Sequence, residues 1–399
     1  MNPTKDIIIF STADWDNPLW TNKQHTAMAL ANKGFRILYV ESLGLRQPGI
    51  NKTDLARIMR RLKKGISAPR RVKENIWVTS PLVIPFHQNF FLRMINNWLL
   101  IKKINSLRKI LNFSHPIIWT YNPLVQRIAE KLNPELLIYH CVDDITTAPL
   151  MPSNIIRKSE KLLIGLADIV FTSSPKLQKY CSLLRPDNTY YFPNVADFRH
   201  FSKSRDAGPL PDDIAKIPHP RIGFIGAISG YKLDFALIKH IATTRNNWHW
   251  VLIGSVGEGD PKTSIKKLGM PNIHFLGLKD YKVLPDYLRG IDIAAIPYDI
   301  NAYTTSVFPM KFFEYLAAGI PVVTTKLPAL EDFKEACIIA DSQKSFISAI
   351  EDILKGKMPN KESCLNLARK NTWELRTTQM LGLISNKWKA KYNEDRNNS

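Results

Sequence analysis

Short, almost continuous apolar runs alternate with helical patterns along most of the 399-residue chain. The runs are rich in β-branched and aromatic residues, which is typical of parallel strands that are buried on both faces. The clearest intervening helix, residues 22–34, has an apolar stripe and stops at a glycine before the next run. The pattern therefore predicts an α/β fold. The strands predicted in the first half are residues 6–11, 36–41, 76–81, 116–121, 136–141, 168–174 and 189–194.

The same alternation restarts after a stretch that has no apolar periodicity. Residues 202–220 concentrate proline, serine and charged residues, as a linker does. The chain is also too long for one typical core. We therefore predict doubly wound, Rossmann-like domains over residues 1–201 and 221–371, and a final helix at about residues 372–392. The strands predicted in the second half are residues 221–227, 248–254, 273–277, 292–298, 321–325 and 337–340.

Positive charge is concentrated in the first half of the chain. The formal net charge is +20, and residues 1–200 hold 28 Lys and Arg against 14 Asp and Glu. Residues 57–73 alone carry eight cations and no acid, which suits nucleic acid or an anionic lipid surface. Base-stacking aromatic residues are not interleaved with these cations, so we expect no nucleic acid partner. A solvated charged face is the plain alternative.

The sequence also bears on the compartment. No run approaches the roughly 20 apolar residues of a membrane span, and the N-terminal residues lack a signal-peptide cleavage site, which predicts a cytoplasmic chain. Residues 86–111 mix large apolar residues with cations, which predicts peripheral attachment to the inner face of an anionic membrane. Burial of those apolar residues against a sheet is the competing interpretation. The four cysteines lack metal-site spacing, which predicts buried thiols.

Residues 306–324 place a cation and a carboxylate inside an otherwise apolar segment. Pro309 suits a first helical position and Gly319 the position after a helix, so Lys311 and Glu314 lie on a short helix that starts at the carboxyl end of a strand. Such a helix N-terminus favours phosphate. A carboxylate there can accept both hydroxyls of a ribose, and a lysine can neutralise a diphosphate. A surface ion pair worth a few tenths of a kcal/mol is the alternative.

A second phosphate-binding signal follows the first strand of the second half. Gly226 lies in the turn between that strand and the next helix, where backbone amides can approach a phosphate. The glycine spacing matches neither a dinucleotide fingerprint nor a Walker loop, and tight packing explains it about as well.

The stretch PMKFFEYLAAGIPVV at residues 309–323 resembles the nucleotide-sugar motif of GT-B glycosyltransferases, particularly family-4-like enzymes of teichuronic acid and related cell-surface polysaccharide synthesis. The segments YHCVDDI, ADIVFTSSPKL and FPNVADFRHF resemble further parts of that family, so the resemblance covers nearly the whole chain. It implies two Rossmann-like domains that face each other across a cleft, with the C-terminal helix at about residues 372–392 packed back on the first domain.

The resemblance assigns the donor site to the second domain. Glu314 would bind the donor ribose, and the backbone amides of Ser306, Val307 and Phe308 would line the diphosphate. The family usually has a second glutamate where this chain has Ser306. It also usually has an arginine and a lysine after the Gly226 strand. Only a displaced Lys232 is present there, so we expect Lys311 to supply the missing charge.

The resemblance assigns the acceptor side and the chemistry to the first domain. His140, Asp143 and Asp144 are candidate catalytic residues, with a structural role about as well supported for His140. Asp14 and Asp16 are candidates for acceptor hydroxyls, with turn formation as the alternative. We expect transfer from a nucleoside-diphosphate sugar to a glycan or lipid-linked acceptor, without metal or other cofactor, and with retention of anomeric configuration. A sugar-nucleotide epimerase and a non-catalytic relative remain alternatives.

Overall fold

The computed structural model describes residues 4–44, 64–65, 67–83 and 89–397, with side chains up to residue 393. The predicted cation run at residues 57–73 therefore lies partly outside the described residues. The chain divides into two compact units. The second unit is Pro193–Arg376, and the first unit takes up the chain again from Thr377.

The first unit is built on an eight-stranded sheet with the order β3-β4-β2-β1-β5-β6-β7-β8. All neighbouring strands are parallel except β3 and β4, which are antiparallel. Its strands are β1 Asp6–Phe10, β2 Arg36–Val40, β3 Arg70–Lys73, β4 Ile76–Thr79, β5 Ile117–Thr120, β6 Leu137–Cys141, β7 Ile169–Thr172 and β8 Thr189–Tyr191. Its helices are α1 Asn22–Asn32, α2 Phe90–Leu111, α3 Gln126–Leu132, α4 Ser153–Leu166 and α5 Pro175–Ser182.

The second unit is built on a six-stranded parallel sheet with the order β11-β10-β9-β12-β13-β14. Its strands are β9 Arg221–Ile225, β10 His249–Ile253, β11 Ile273–Gly277, β12 Ile293–Ile296, β13 Val322–Thr325 and β14 Ile338–Ala340. Its helices are α6 Phe198–Phe201, α7 Asp212–Ala215, α8 Phe235–Thr244, α9 Leu284–Arg289, α10 Lys311–Ala318, α11 Gln343–Leu354 and α12 Lys361–Lys370. The last helix, α13, is Trp373–Asn397.

The predicted fold of two doubly wound parallel-sheet units is confirmed. Every predicted strand is present, because long apolar runs that are buried on both faces are set by local sequence. Strand β3 was missed. Its residues Arg70–Lys73 are largely exposed at the sheet edge, so they carry no apolar pattern.

The segment predicted as a linker, residues 202–220, is an ordered part of the second unit. It contains helix α7 and two side chains, Ile214 and Ile217, that are buried in the core of that unit. The second unit begins still earlier, at Pro193, and Asn194 donates a hydrogen bond to the Phe308 carbonyl oxygen at 2.8 Å. These isolated contacts have no periodicity, which is why the composition was misread as a linker.

The C-terminal helix contributes to the core of the first unit. Met380, Ile384 and Trp388 are buried in the same apolar cluster as strands β1 and β2. Trp388 also donates its indole hydrogen bond to Glu135, and the Lys391 Nζ lies 3.3 Å from Asp168. These contacts hold α13 to the first unit from Thr377 onward.

Two predictions about composition can be compared with the structure. Cys141, Cys181, Cys337 and Cys364 are all buried free thiols, as expected. Among the described residues, no helix combines the length and apolarity needed to cross a bilayer.

A histidine pair in the second sheet predicts loss of stability in acid. His249 Nδ1 and His274 Nε2 lie 3.1 Å apart on neighbouring strands, and burial lowers the pKa of both rings. The unfolded rings, with pKa values of about 6.5, bind protons more tightly than the folded rings. The neutral histidine pair therefore makes its full contribution to the free energy of unfolding above about pH 6.5. This contribution decreases as the pH is lowered below that value.

Urea titrations from pH 7.5 to 5 should show this slope, and His274→Gln should reduce it. The change removes one of the two rings with a lowered pKa, while His249, whose pKa is lowered by burial and by Arg221, keeps its share of the slope. An unchanged slope in the variant would assign the acid sensitivity to other groups.

Candidate functional site

The stretch that the sequence singled out forms a short helix that is almost completely buried. Helix α10 follows the carboxyl end of β12 and spans Lys311–Ala318. Phe312 and Phe313 are fully buried, and both rings pack against Phe308 and Phe333. This aromatic cluster fixes the start of the helix, so the side chains of its first turn have a defined position.

The helix starts two residues later than predicted. Pro309 precedes the N-cap residue Met310, and the first hydrogen bond runs from the Phe312 N–H to the Pro309 carbonyl oxygen at 3.1 Å. A turn of 3₁₀ helix, Thr304–Ser306, comes before it. Gly319 follows the last helical residue, as predicted.

Lys311 and Glu314 form an ion pair inside the protein. Lys311 Nζ lies 3.3 Å from Glu314 Oε2, and the two side chains are only 19% and 6% exposed. Burial removes the hydration of both ions, so such a pair contributes little to stability. The alternative of a solvent-exposed surface pair is therefore wrong.

Two strand ends expose bare backbone next to Lys311. Gly226 follows β9 with φ +155°, and a Cβ atom there would lie 3.2 Å from Lys311 Cε. Gly254 follows β10 with φ +148°, and a Cβ atom there would lie 1.9 Å from the Gly226 carbonyl oxygen. Only glycine fits this crossing. The structure therefore brings together Gly226, Lys311 and Glu314, which can form a compact site for a phosphorylated ligand that carries hydroxyl groups.

Two of the three amides predicted to line a diphosphate are already engaged. The Ser306 N–H donates to the Tyr303 carbonyl oxygen at 2.9 Å, and the Val307 N–H donates to the Thr304 carbonyl oxygen at 3.1 Å. The expectation that these two amides face a ligand is therefore wrong for this conformation. Phe308 is fully buried in the aromatic cluster, where its side chain has a packing role.

Lys232 lies beside two tyrosine rings in the turns that follow β9 and β12. Its Nζ is 5.4 Å from the ring centroid of Tyr231 and 5.7 Å from that of Tyr303. Asn301 Nδ2 joins the two turns by donating to the Tyr231 carbonyl oxygen at 2.9 Å. The displaced lysine is thus held in place by neighbouring aromatic side chains.

Sequence reasoning missed a stacked pair that experiences the charge of Glu314. The His200 ring stacks on Tyr281 at 4.2 Å, and His200 Nε2 lies 2.8 Å from the Tyr281 carbonyl oxygen. Burial and then the Glu314 charge raise the pKa of Tyr281, and burial lowers the pKa of His200. The available signal was the FPNVADFRHF stretch, which contains His200 but was assigned to the first domain.

His140 is a buried core residue of the first unit. Its side chain has no exposed surface, and its Nδ1 accepts a hydrogen bond from Trp119 Nε1 at 3.3 Å. The ring stacks on Tyr121 at 4.8 Å and meets Phe171 edge-on. This placement favours the structural role, because a side chain without exposed surface does not reach a substrate.

Asp143 and Asp144 follow β6 but differ in their surroundings. Asp143 is 28% exposed, and its Oδ2 lies 3.5 Å from Lys23 Nζ. Asp144 caps the following turn through the Thr146 N–H and accepts two hydrogen bonds from Arg157, at 2.8 and 2.9 Å. Asp143 is therefore the accessible carboxylate of the two, and Asp144 fixes the loop.

Asp14 and Asp16 lie in the loop after β1, as predicted. The Asp14 carbonyl oxygen accepts a hydrogen bond from Gln24 at 3.0 Å, which ties the loop to α1. Asp16 pairs with Arg70 at 2.5 Å, and both side chains are about half exposed. Turn formation accounts for the backbone of Asp14, while the Asp16 carboxylate stays open to solvent. Among the described residues, no group of three or more His, Cys, Asp or Glu side chains is arranged to hold a metal ion.

Comparison with known proteins connects this geometry with an enzyme class. Residues 219–356, which include β9, β10 and α10, match the family described as glycosyl transferases group 1. Over these residues, the chain is therefore similar to the group 1 glycosyl transferases. It is also 29% identical over 286 residues to TuaH of Bacillus subtilis (strain 168), assigned to teichuronic acid biosynthesis as a glycosyltransferase. That alignment covers 66% of this chain and 70% of TuaH.

Solved structures of low identity share the fold over almost the whole chain. A sucrose-phosphate synthase from Thermosynechococcus elongatus superposes with a TM-score of 0.68 at 16% identity, covering 96% of this chain and 99% of that one. Anabaena HepE in complex with UDP-glucose gives a TM-score of 0.64 at 15% identity, covering 94% and 99%. The chain described here therefore has the GT-B fold. The group 1 glycosyltransferases that it resembles transfer a sugar from a nucleotide sugar.

Proposed function

We propose that this glycosyltransferase moves a sugar from a nucleoside-diphosphate sugar to a hydroxyl of a lipid-linked intermediate in cell-surface polysaccharide synthesis. The buried Lys311–Glu314 pair beside Gly226 carries the proposal. It combines a cation that can bind phosphate, a carboxylate that can accept hydrogen bonds from ribose hydroxyls, and an exposed glycine backbone in one place. The similarity to TuaH supports the polysaccharide assignment, and HepE, a protein of the same fold, binds UDP-glucose.

Lys311 and the first turn of α10 supply the electrostatics of the transfer. Negative charge builds on the diphosphate as the anomeric bond breaks, so fixed cations and amides stabilise the transition state more than the ground state. Because Ser306 and Val307 use their amides within the preceding turn, we assign this role to Met310 and Lys311 at the helix start. We propose that the transfer is independent of metal and retains the anomeric configuration.

Lys311→Ala should weaken binding of a nucleoside diphosphate by about tenfold and of the monophosphate by clearly less. The side chain neutralises phosphate charge, and one charge-assisted hydrogen bond is worth roughly 1.5–3 kcal/mol. Calorimetric titration with both nucleotides measures the ratio. Lys361→Ala, on helix α12 of the same unit, is the matched control. Equal losses of affinity for the two nucleotides would show that Lys311 does not bind the diphosphate.

We also propose that the enzyme works on the cytoplasmic side of the membrane, attached peripherally to its inner face. Helix α2 supports this assignment, because Phe91, Met94 and Trp98 are 68%, 54% and 54% exposed. Lys102 Nζ lies 4.0 Å from the ring centroid of Trp98. The alternative of burial holds for Leu100 on the same helix, which is 2% exposed. The exposed aromatic residues and cations suit a headgroup region.

Flotation with anionic vesicles at low salt tests the attachment. The double change of Phe91 and Trp98 to Asp should reduce the bound fraction at least about tenfold, because each ring loses burial worth roughly 1.5–3 kcal/mol. Leu183→Asp is the matched control, since this side chain is 78% exposed elsewhere in the first unit. Equal binding to neutral and anionic vesicles would contradict the proposal.

A further inference from the structure

A cavity of about 270 Å³ opens between helices α2, α3 and α4 of the first unit. Its floor is closed and mainly apolar, because Leu43, Leu100 and Ile128 line it and are only 7%, 2% and 1% exposed. The buried polar side chains of Asn96 and Gln126 also line it. The volume is close to the lower end of small-molecule pockets, about 300 Å³. The cavity can therefore hold part of a ligand rather than a single water molecule.

Large apolar side chains continue to the mouth of the cavity, although polar side chains also line it. Phe90, Met94 and Leu162 line it and are 51%, 54% and 51% exposed. Large side chains exposed in one contiguous patch indicate a binding surface. The patch continues along the outside of α2 to Phe91 and Trp98, the residues of the proposed membrane contact.

The charged side chains that line the cavity indicate which polar group a ligand would carry. Arg93, Arg127 and Lys158 line it, and every charged residue among its described lining is a cation. The ligand therefore combines a hydrocarbon chain with an anionic group. A second copy of this chain fits poorly, because a twofold interface would bring this cationic patch against the same cationic patch of the other copy.

We propose that this cavity seats the hydrocarbon chain of an anionic membrane lipid, with its phosphate among Arg93, Arg127 and Lys158. The inference rests on the proposed membrane attachment and adds a defined lipid site to it. A seated chain fixes the orientation of the first unit on the bilayer, whereas the outer face of α2 provides adhesion only.

Photo-crosslinking distinguishes the cavity from the outer face of α2. Vesicles of phosphatidylglycerol and phosphatidylcholine carry a trace of phosphatidylglycerol with a diazirine near the end of one acyl chain. Crosslinked peptides of the full chain are mapped by mass spectrometry, and flotation measures attachment in the same samples. A diazirine phosphatidylcholine in otherwise identical vesicles tests the anionic headgroup.

Ser159→Trp fills the cavity from α4, and Asn154→Trp on the same helix is the control, since Asn154 is exposed and does not line the cavity. Asn97→Trp fills it from α2 and replaces the first variant if that one does not fold. We expect wild-type crosslinks at Leu100 and Leu124. They should fall at least about tenfold in the filled variant, because displacement of even two methylenes costs that much affinity. Flotation of the filled variant should equal that of the wild type. The crosslink yield of the Asn154→Trp control should also be unchanged.

Crosslinks restricted to Phe91 and Trp98, with equal yields in both variants, would overturn the lipid site and leave the attachment intact. Equal cavity yields from the two headgroups would overturn its anionic selectivity. A concentration-dependent dimer that Ser159→Trp abolishes in sedimentation would assign the cavity to a second copy of the chain. A wild-type chain that does not float with the anionic vesicles would contradict the membrane attachment itself.

Discussion

Glu314→Gln should lower the affinity for the preferred nucleoside diphosphate by at least about tenfold. The change keeps the shape of the side chain and removes its charge. Hydrogen bonds from two ribose hydroxyls to a carboxylate are charge-assisted, and each is worth roughly 1.5–3 kcal/mol. Because the Glu314 side chain is only 6% exposed, water screens these bonds little. Calorimetric titration of the folded variant measures the loss.

Two controls separate binding from folding in this experiment. Glu335→Gln changes an exposed carboxylate of the same unit and should leave the affinity unchanged. The apolar face of α10 is built by Phe312 and Phe313 and is unchanged, but Glu314→Gln leaves the Lys311 ammonium without its partner, so its urea midpoint should fall. Circular dichroism therefore establishes that the variant is folded before its affinity is measured. An unaltered affinity in Glu314→Gln would show that Glu314 does not bind the ribose.

Gly254→Ala should lower the free energy of unfolding of the second unit by at least about 3 kcal/mol. An alanine at φ +148° is strained by about 1–3 kcal/mol, and its Cβ would lie 1.9 Å from the Gly226 carbonyl oxygen. The contact is with backbone, so no side-chain rotation relieves it. The ends of β9 and β10 must separate, and nucleotide binding should be lost with them.

Gly356→Ala is the matched control for this backbone clash. Gly356 also has a positive φ, +84°, but an added Cβ would meet no atom within 4 Å. It should therefore cost only the left-handed strain, roughly 1–2 kcal/mol. Urea denaturation of the two variants measures the difference, and equal losses would show that the β9–β10 crossing tolerates a side chain.

The sequence predicted features that depend on neighbouring residues along the chain. The apolar strands and the helix of Lys311 and Glu314 belong to this class. The hydrogen bonds that engage the Ser306 and Val307 amides were not predicted from the sequence. Asn301 Oδ1 accepts hydrogen bonds from the Tyr303 and Thr304 amides at 2.9 and 3.0 Å and so shapes the tight turn that consumes them.

Residues that depend on distant partners were predicted less well. His140 at a strand end suggests a catalytic group, but Trp119, Tyr121 and Phe171 from neighbouring strands enclose it. His200 lies far from Glu314 in sequence, and only the folded second unit brings its ring under the influence of that charge. Periodicity carries no information on such contacts, because it describes one element at a time.

The most direct test of the account is transfer by the purified full chain. The enzyme is incubated with radiolabelled nucleoside-diphosphate sugars and a lipid extract of its native cells, with and without EDTA. The account predicts that one donor gives a labelled glycolipid and an equimolar amount of nucleoside diphosphate under both conditions. Binding of a donor without any labelled product, or an epimerised donor formed without lipid, would contradict it.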